Sequence, residues 1–243
     1  MEFSVKRVNA LFKKEIKDLS KNMNVLCMCL LPLVFCTVYS KLFDKQIIEE
    51  GIGSFEILIL CVGMNLTLVS SFVIAMLIAE EKEKNTLRTL MLSAVSPWEF
   101  LAGKAIVTIL LSIIVNIAMF FIVGVNINYL GMYALITILV VLSMVAIGAV
   151  IGIISQNQMA TGVVGMPVLM VFLLLPVFAR FNEGLKTIAE FLPNYNMNVL
   201  FRRLFTGQVI GSESIRNIAI ILAWILIAAT AFAYTYKKKG LDS

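Results

Sequence analysis

Eight charged side chains fall within 25 residues, Glu80, Glu81, Lys82, Glu83, Lys84, Arg88, Glu99 and Lys104, between two long apolar runs. Among them lies a short stretch with helical apolar spacing (Leu87, Leu90, Met91), closed by Ser96-Pro97. Charges at this density cannot lie in hydrocarbon, so the segment is predicted to face water and to offer a surface that a partner can grip. Other chemistry is scarce. The chain has no histidine, which removes the commonest general base and metal ligand. It has no Gly-x-x-x-x-Gly-Lys-Ser/Thr motif and therefore no phosphate-cradling loop of its own. The four cysteines (Cys27, Cys29, Cys36, Cys61) all fall in apolar runs and read as soft buried hydrophobes. Cys27 and Cys29, two residues apart, point to different sides of a helix and make no zinc site. Metal, cofactor and catalytic residues are thus expected to be absent from this chain. Four polar residues deep in apolar runs, Asn65, Thr67, Ser71 and Asn116, fit two roles equally: lining a polar path or bonding one helix to another. Ser70 belongs with them.

The elements that must hold these residues are membrane helices. Of 243 residues, 60% are hydrophobic and 14% charged, against about 45–50% and about 25% in soluble chains. The apolar residues come in runs long enough to cross a bilayer as helices, and they lack the alternation of a barrel strand. The spacing predicts an all-α polytopic membrane protein with six spans, at about 23–40, 54–79, 105–125, 131–154, 160–179 and 217–236. Residues 1–22 are expected to form an amphipathic helix lying on the bilayer surface, because Val5, Val8, Phe12, Ile16 and Leu19 recur at steps of three and four among lysines. Residues 80–104 form the charged loop, and 237–243 a basic tail.

The segment 180–216 is more than a linker. Leu185, Ile188, Ala189 and Leu192, then Met197, Leu200, Phe201, Leu204 and Phe205, give two short amphipathic helices broken at Pro193. Too short to span, they should lie at the outer interface or dip in and return. In span 4, Gly148-x-x-x-Gly152 permits close approach of a neighbouring helix, more readily within one subunit than between two. Arg202 and Arg203 fit a solvated face, or a site attracting anionic lipid or substrate. Thirteen lysines and arginines fall on the side of the termini and the charged loop, against seven on the other. The excess marks the cytoplasm, so both termini and the loop are expected inside a bacterial cell membrane.

The loop carries a family resemblance. Glu80-Glu81-Lys82-Glu83-Lys84-Asn85-Thr86-Leu87, then Leu90-Met91-Leu92-Ser93-Ala94-Val95-Ser96, then Phe100-Leu101-Ala102-Gly103-Lys104, resemble the span-2-to-span-3 loop of ABC-2 type transporter permeases. That family shows Glu-x-Glu-x-Gly-Thr-Leu, a Leu-Leu-x-Ser/Thr-Pro-Val/Ile-Ser run, and Leu-Gly-Lys. The chain departs at Asn85, where Gly is common, at Ala94, where Pro is common, and by Ala102 before Gly103. The resemblance implies a non-enzymatic permease whose loop docks on a separate P-loop ATPase, present in two copies, that binds the ATP and magnesium. It assigns that contact to Glu80, Glu81, Glu83, Thr86, Leu87, Leu90, Met91, Leu92, Ser93, Val95, Ser96, Pro97 and Trp98. It also implies a second permease copy or paralogue in the lipid bilayer, with no nucleic-acid partner. Spans almost free of charge suit a hydrophobic or amphipathic cargo, such as a peptide toxin, an antimicrobial peptide or a drug. The alternative, an ion-coupled carrier or channel acting without an ATPase, needs ionisable groups at depth that the sequence does not display.

Overall fold

The computed structural model describes residues 4–19, 22–42, 54–86, 90, 95–208 and 211–241. It is all-helical among these residues, as a chain that must satisfy its backbone in lipid requires. The N-terminal helix α1 (Val5–Leu19) precedes α2 (Met23–Leu42). Then come α3 (Phe55–Glu83), α4 (Pro97–Val123), α5 (Leu130–Ile154) and α6 (Gln158–Phe178). Two short helices follow, α7 (Glu183–Ala189) and α8 (Pro193–Phe205), before α9 (Ser212–Leu241). Six of these, α2 to α6 and α9, are long and apolar enough to cross a membrane.

Local chemistry sets the helix ends. The α4 start is a capping box: Ser96 accepts from the Glu99 N–H, the Glu99 carboxylate accepts from the Ser96 N–H, and Pro97 occupies the first turn. The helix thus begins eight residues before the expected span, and Lys104 lies inside it rather than in a loop. At its other end Gly124 (φ 73°) takes the left-handed conformation that terminates a helix. Asn157 and Asn182 cap α6 and α7 through their side-chain oxygens. Pro193 starts α8, so the two short helices break where the sequence placed the break.

Helix α3 is the most enclosed span. Its middle, Leu66–Val73, is wound as a π-helix, and Ser70 and Ser71 within it are fully buried. The glycines of α5 pack against this stretch and the turn after it. A Cβ on Gly148 would stand 2.6 Å from Ser71 Cα, and one on Gly152 2.6 Å from the Ala75 carbonyl oxygen. The small residues Ser71 and Ala75 therefore meet Gly148 and Gly152 within one subunit, where backbones can touch and dispersion contacts accumulate.

Helix α8 turns its apolar stripe inward: Met197 and Phe201 are fully buried, and Phe201 stacks on Tyr133 at 5.0 Å. It dips into the bundle. Asn194 at its start donates to the Phe172 carbonyl (3.1 Å), which lies about 9 Å along α6 from Phe178 at the usual helical rise. Trp224, about 18 Å along α9 from Ser212 by the same rise, donates to the Phe191 carbonyl at 2.6 Å.

Candidate functional site

Helix α1 crosses the beginning of α4 so closely that a Cβ on Gly103 would come within 2.6 Å of Leu11 Cβ. The face it buries is Val8, Leu11, Phe12, Glu15 and Leu19, whereas Val5 and Ile16 of the expected stripe are exposed. The real stripe therefore contains a carboxylate. Glu15 is nearly inaccessible and receives Lys104 Nζ at 2.6 Å, and both side chains are 3% exposed. The same Nζ reaches Glu81 at 3.1 Å, and Glu81 also holds Lys14 at 2.6 Å and the Thr86 hydroxyl. Two cations and two anions alternate, so the cluster is neutral, with Lys14 at its exposed edge and the other three ions enclosed. Burial raises the Glu15 carboxyl above its ordinary value against the pull of Lys104. For Lys14 burial opposes the charge, but the hydrogen bond and charge of Glu81 outweigh it, and its pKa is raised.

A second bond set lies five residues earlier on α4. Glu99, fully buried, accepts from Arg7 (2.7 Å), from the Ser4 N–H (2.6 Å) and from the Ser96 N–H (2.8 Å). Between them, Glu99 and the Lys104 cluster fasten α1 to the end of α3 and the start of α4. These are the two flanks of the charged loop. Isolated ions would cost several kcal/mol each to bury, and only complete partnering makes such an arrangement tenable.

The residues that the family resemblance assigned to an ATPase contact separate into groups. Glu81 is enclosed in the ionic cluster. Glu80 pairs with Lys84 at 2.5 Å, and Glu83 accepts from the Gln158 N–H at 3.1 Å. Thr86 also donates to the Glu81 carbonyl at 3.1 Å. Leu90 and Val95 are half-buried against the main core. Ser96 and Pro97 build the α4 cap. Trp98 stands 47% exposed, the largest open apolar side chain of the group. Leu87, Met91, Leu92 and Ser93 lie outside the described residues. Asn85, where the family favours glycine, has φ 56°; asparagine tolerates this left-handed position better than most residues, so the departure preserves the turn.

Asn65, Thr67, Ser71 and Asn116 are all buried and hydrogen-bonded within the subunit. Asn65 Nδ2 donates to Asn116 Oδ1 (2.8 Å) and to the Ser112 carbonyl (3.1 Å), joining α3 to α4. Ser71 donates to the Met144 carbonyl (2.8 Å) on α5, and Thr67 back to the Gly63 carbonyl (3.1 Å). Tyr133 donates to the Asn116 carbonyl at 3.0 Å. In this arrangement the four act as bonds between and within helices.

At the opposite end, Glu56 near the start of α3 is shared by Arg180 (2.6 Å) and Arg202 (3.0 Å). Arg203 pairs with Glu213. Both Arg202 and Arg203 therefore serve contacts within the chain. Among the described residues no group of three or more His, Cys, Asp or Glu side chains could hold a metal ion.

The family model described as ABC-2 family transporter protein matches residues 37–235. No curated protein matches the sequence.

Proposed function

The chain belongs to the ABC-2 family of transporter proteins, and from that premise we propose that it is the permease subunit of an ATP-driven exporter served by a separate P-loop ATPase. The observation that carries this reading is the double anchoring of the charged loop. Its α3 flank is tied through Glu81, its α4 flank through Glu99 and Lys104, and both are tied to α1. A load applied between residues 84 and 96 reaches two spans and the surface helix without slack. Trp98, open at the edge of this loop, is the anchor a motor subunit would grip.

The loop and α1 face the cytoplasm in this reading, following the excess of lysine and arginine on that side. The end of α9 shares this face, because Tyr236 lies 5.6 Å from Phe100 near the start of α4. Two permease copies, or one copy and a paralogue, enclose the path in a bacterial cell membrane, and two ATPase subunits bind below. ATP and magnesium belong to the motor. The path favours a hydrophobic or amphipathic cargo, since the buried ionic side chains Glu15, Glu81, Glu99 and Lys104 are held in ion pairs beside α1, at one end of the bundle.

Co-purification tests this reading. The protein in detergent is expected to retain a P-loop ATPase encoded beside it, and Trp98→Asp to release it while leaving the permease folded. As a control, Phe181→Asp at the opposite end, 81% exposed, should retain the ATPase. A wild-type protein that binds no ATPase and supports flux in ATP-free liposomes would favour the ion-coupled carrier.

A further inference from the structure

The last turn of α3 reads Glu80-Glu81-Lys82-Glu83, and consecutive helical residues point about 100° apart. Four adjacent charges on one turn therefore cannot share a partner, and they do not. Glu81 faces α1 and α4. Lys82 faces α5: its Nζ donates to the Ile153 carbonyl at 3.0 Å and to the Ser155 carbonyl. Glu83 faces α6, accepting from the N–H of Gln158, its first residue.

The signs match the ends they meet. Carbonyls at a helix C-terminus carry partial negative charge and draw a cation; free N–H groups at an N-terminus draw an anion. Lys82 closes the end of α5 and Glu83 the start of α6, so adjacent residues hold the two sides of one tight turn. That turn is stiff in itself. The Ser155 hydroxyl donates to the Ile151 carbonyl (2.8 Å), and the Asn157 side chain accepts from the Ala160 N–H (2.7 Å). Just inside it, Gly152 lies in backbone contact with Ala75 of α3, so no side chain separates α3 from α5 there.

We infer that Lys82 and Glu83 are positioning residues that carry movement of the charged loop into α5 and α6, the latter leading directly to α7 and α8. They make this contact inside the subunit rather than with a partner. The inference rests on the docking reading above and extends it: the ATPase would move α1, α3 and α4 through Glu81, Glu99 and Lys104, and α5 and α6 through Lys82 and Glu83. A merely structural clamp would hold the turn equally in every nucleotide state.

Hydrogen–deuterium exchange of the full permease–ATPase complex in nanodiscs, with and without ATP plus orthovanadate, tests it. In wild type, nucleotide trapping should change exchange both in the peptide covering 84–96 and in that covering 153–162. Lys82→Glu sets a negative charge against the carbonyl end of α5. This variant should keep the ATPase and the 84–96 response while losing the response at 153–162, and Lys82→Arg should preserve both. Should Lys82→Glu fail to fold, Glu83→Gln, which alters a single exposed bond, should give a reduced 153–162 response. A 153–162 response of wild-type size in the folded variant, or faster exchange there that still shifts with nucleotide, overturns the inference. Absence of a response at 84–96 in wild type refutes the docking reading itself, and the inference falls with it.

Discussion

The two ends of the bundle are held by different physics. At the α1 end the bonds centre on enclosed ions: Lys104, Glu15 and Glu81 are 3–7% exposed and Glu99 is fully buried, while their partners Lys14 and Arg7 stand at the open rim. At the α7–α8 end, the ion pairs on Glu56 come from Arg180 and Arg202, which are 39% and 37% exposed. There the enclosed contacts are largely aromatic, with Tyr133, Phe201 and Phe205 in mutual contact. Breaking one member of a buried ionic set leaves an uncompensated charge, whereas screened pairs part at little cost.

That contrast can be broken by substitution. Lys104→Met strands the buried Glu15 and leaves Glu81 with Lys14 alone as its cation, and should cost about 3–5 kcal/mol, read as a large fall in the denaturant midpoint of the purified protein. Gly148→Leu comes next: overpacking against the Ser71 backbone should cost about 1–3 kcal/mol by the same measurement. Glu15→Gln should cost less than Lys104→Met. Burial already disfavours the Glu15 charge, and Lys104 keeps Glu81 as a partner. Glu56→Gln should be the mildest, at no more than about 1 kcal/mol. Salt sharpens the same distinction. At 1 M ionic strength, where the screening length is about 3 Å, the small effect of Glu56→Gln should vanish and that of Lys104→Met should persist.

Much of this architecture was legible in the sequence because membrane helices declare themselves. Six apolar runs gave six spans, and Pro193 separated the two short helices. The Gly148–Gly152 spacing foretold a close contact within the subunit, and Ser71 and Ala75 supply it. What stayed hidden were pairings across sequence distance. Glu15 sits at i+7 from Val8 and i+4 from Leu11, on the buried face, and an acid there requires a buried cation. Its partner Lys104 falls in the loop on hydropathy alone, because counting hydrophobicity starts a span after the last charge and overlooks a cap eight residues earlier. The Glu81, Lys82 and Glu83 partnerships were invisible for the same reason: a charged run reads as a solvated or docking surface until the neighbouring helix ends are placed beside it. Neither the π-helical stretch of α3 nor the depth reached by α8 has a periodic signature that sequence reading could have caught.

The central claim is that the segment beside Trp98 contacts a motor protein while the opposite end does not. A photo-crosslinking amino acid placed at position 98, and separately at 181, in cells expressing the full chain tests it directly. The account predicts an adduct from position 98 that mass spectrometry identifies as a P-loop ATPase, and none from position 181. An ATPase adduct at 181 but not at 98, or no ATPase adduct from either position, would contradict it.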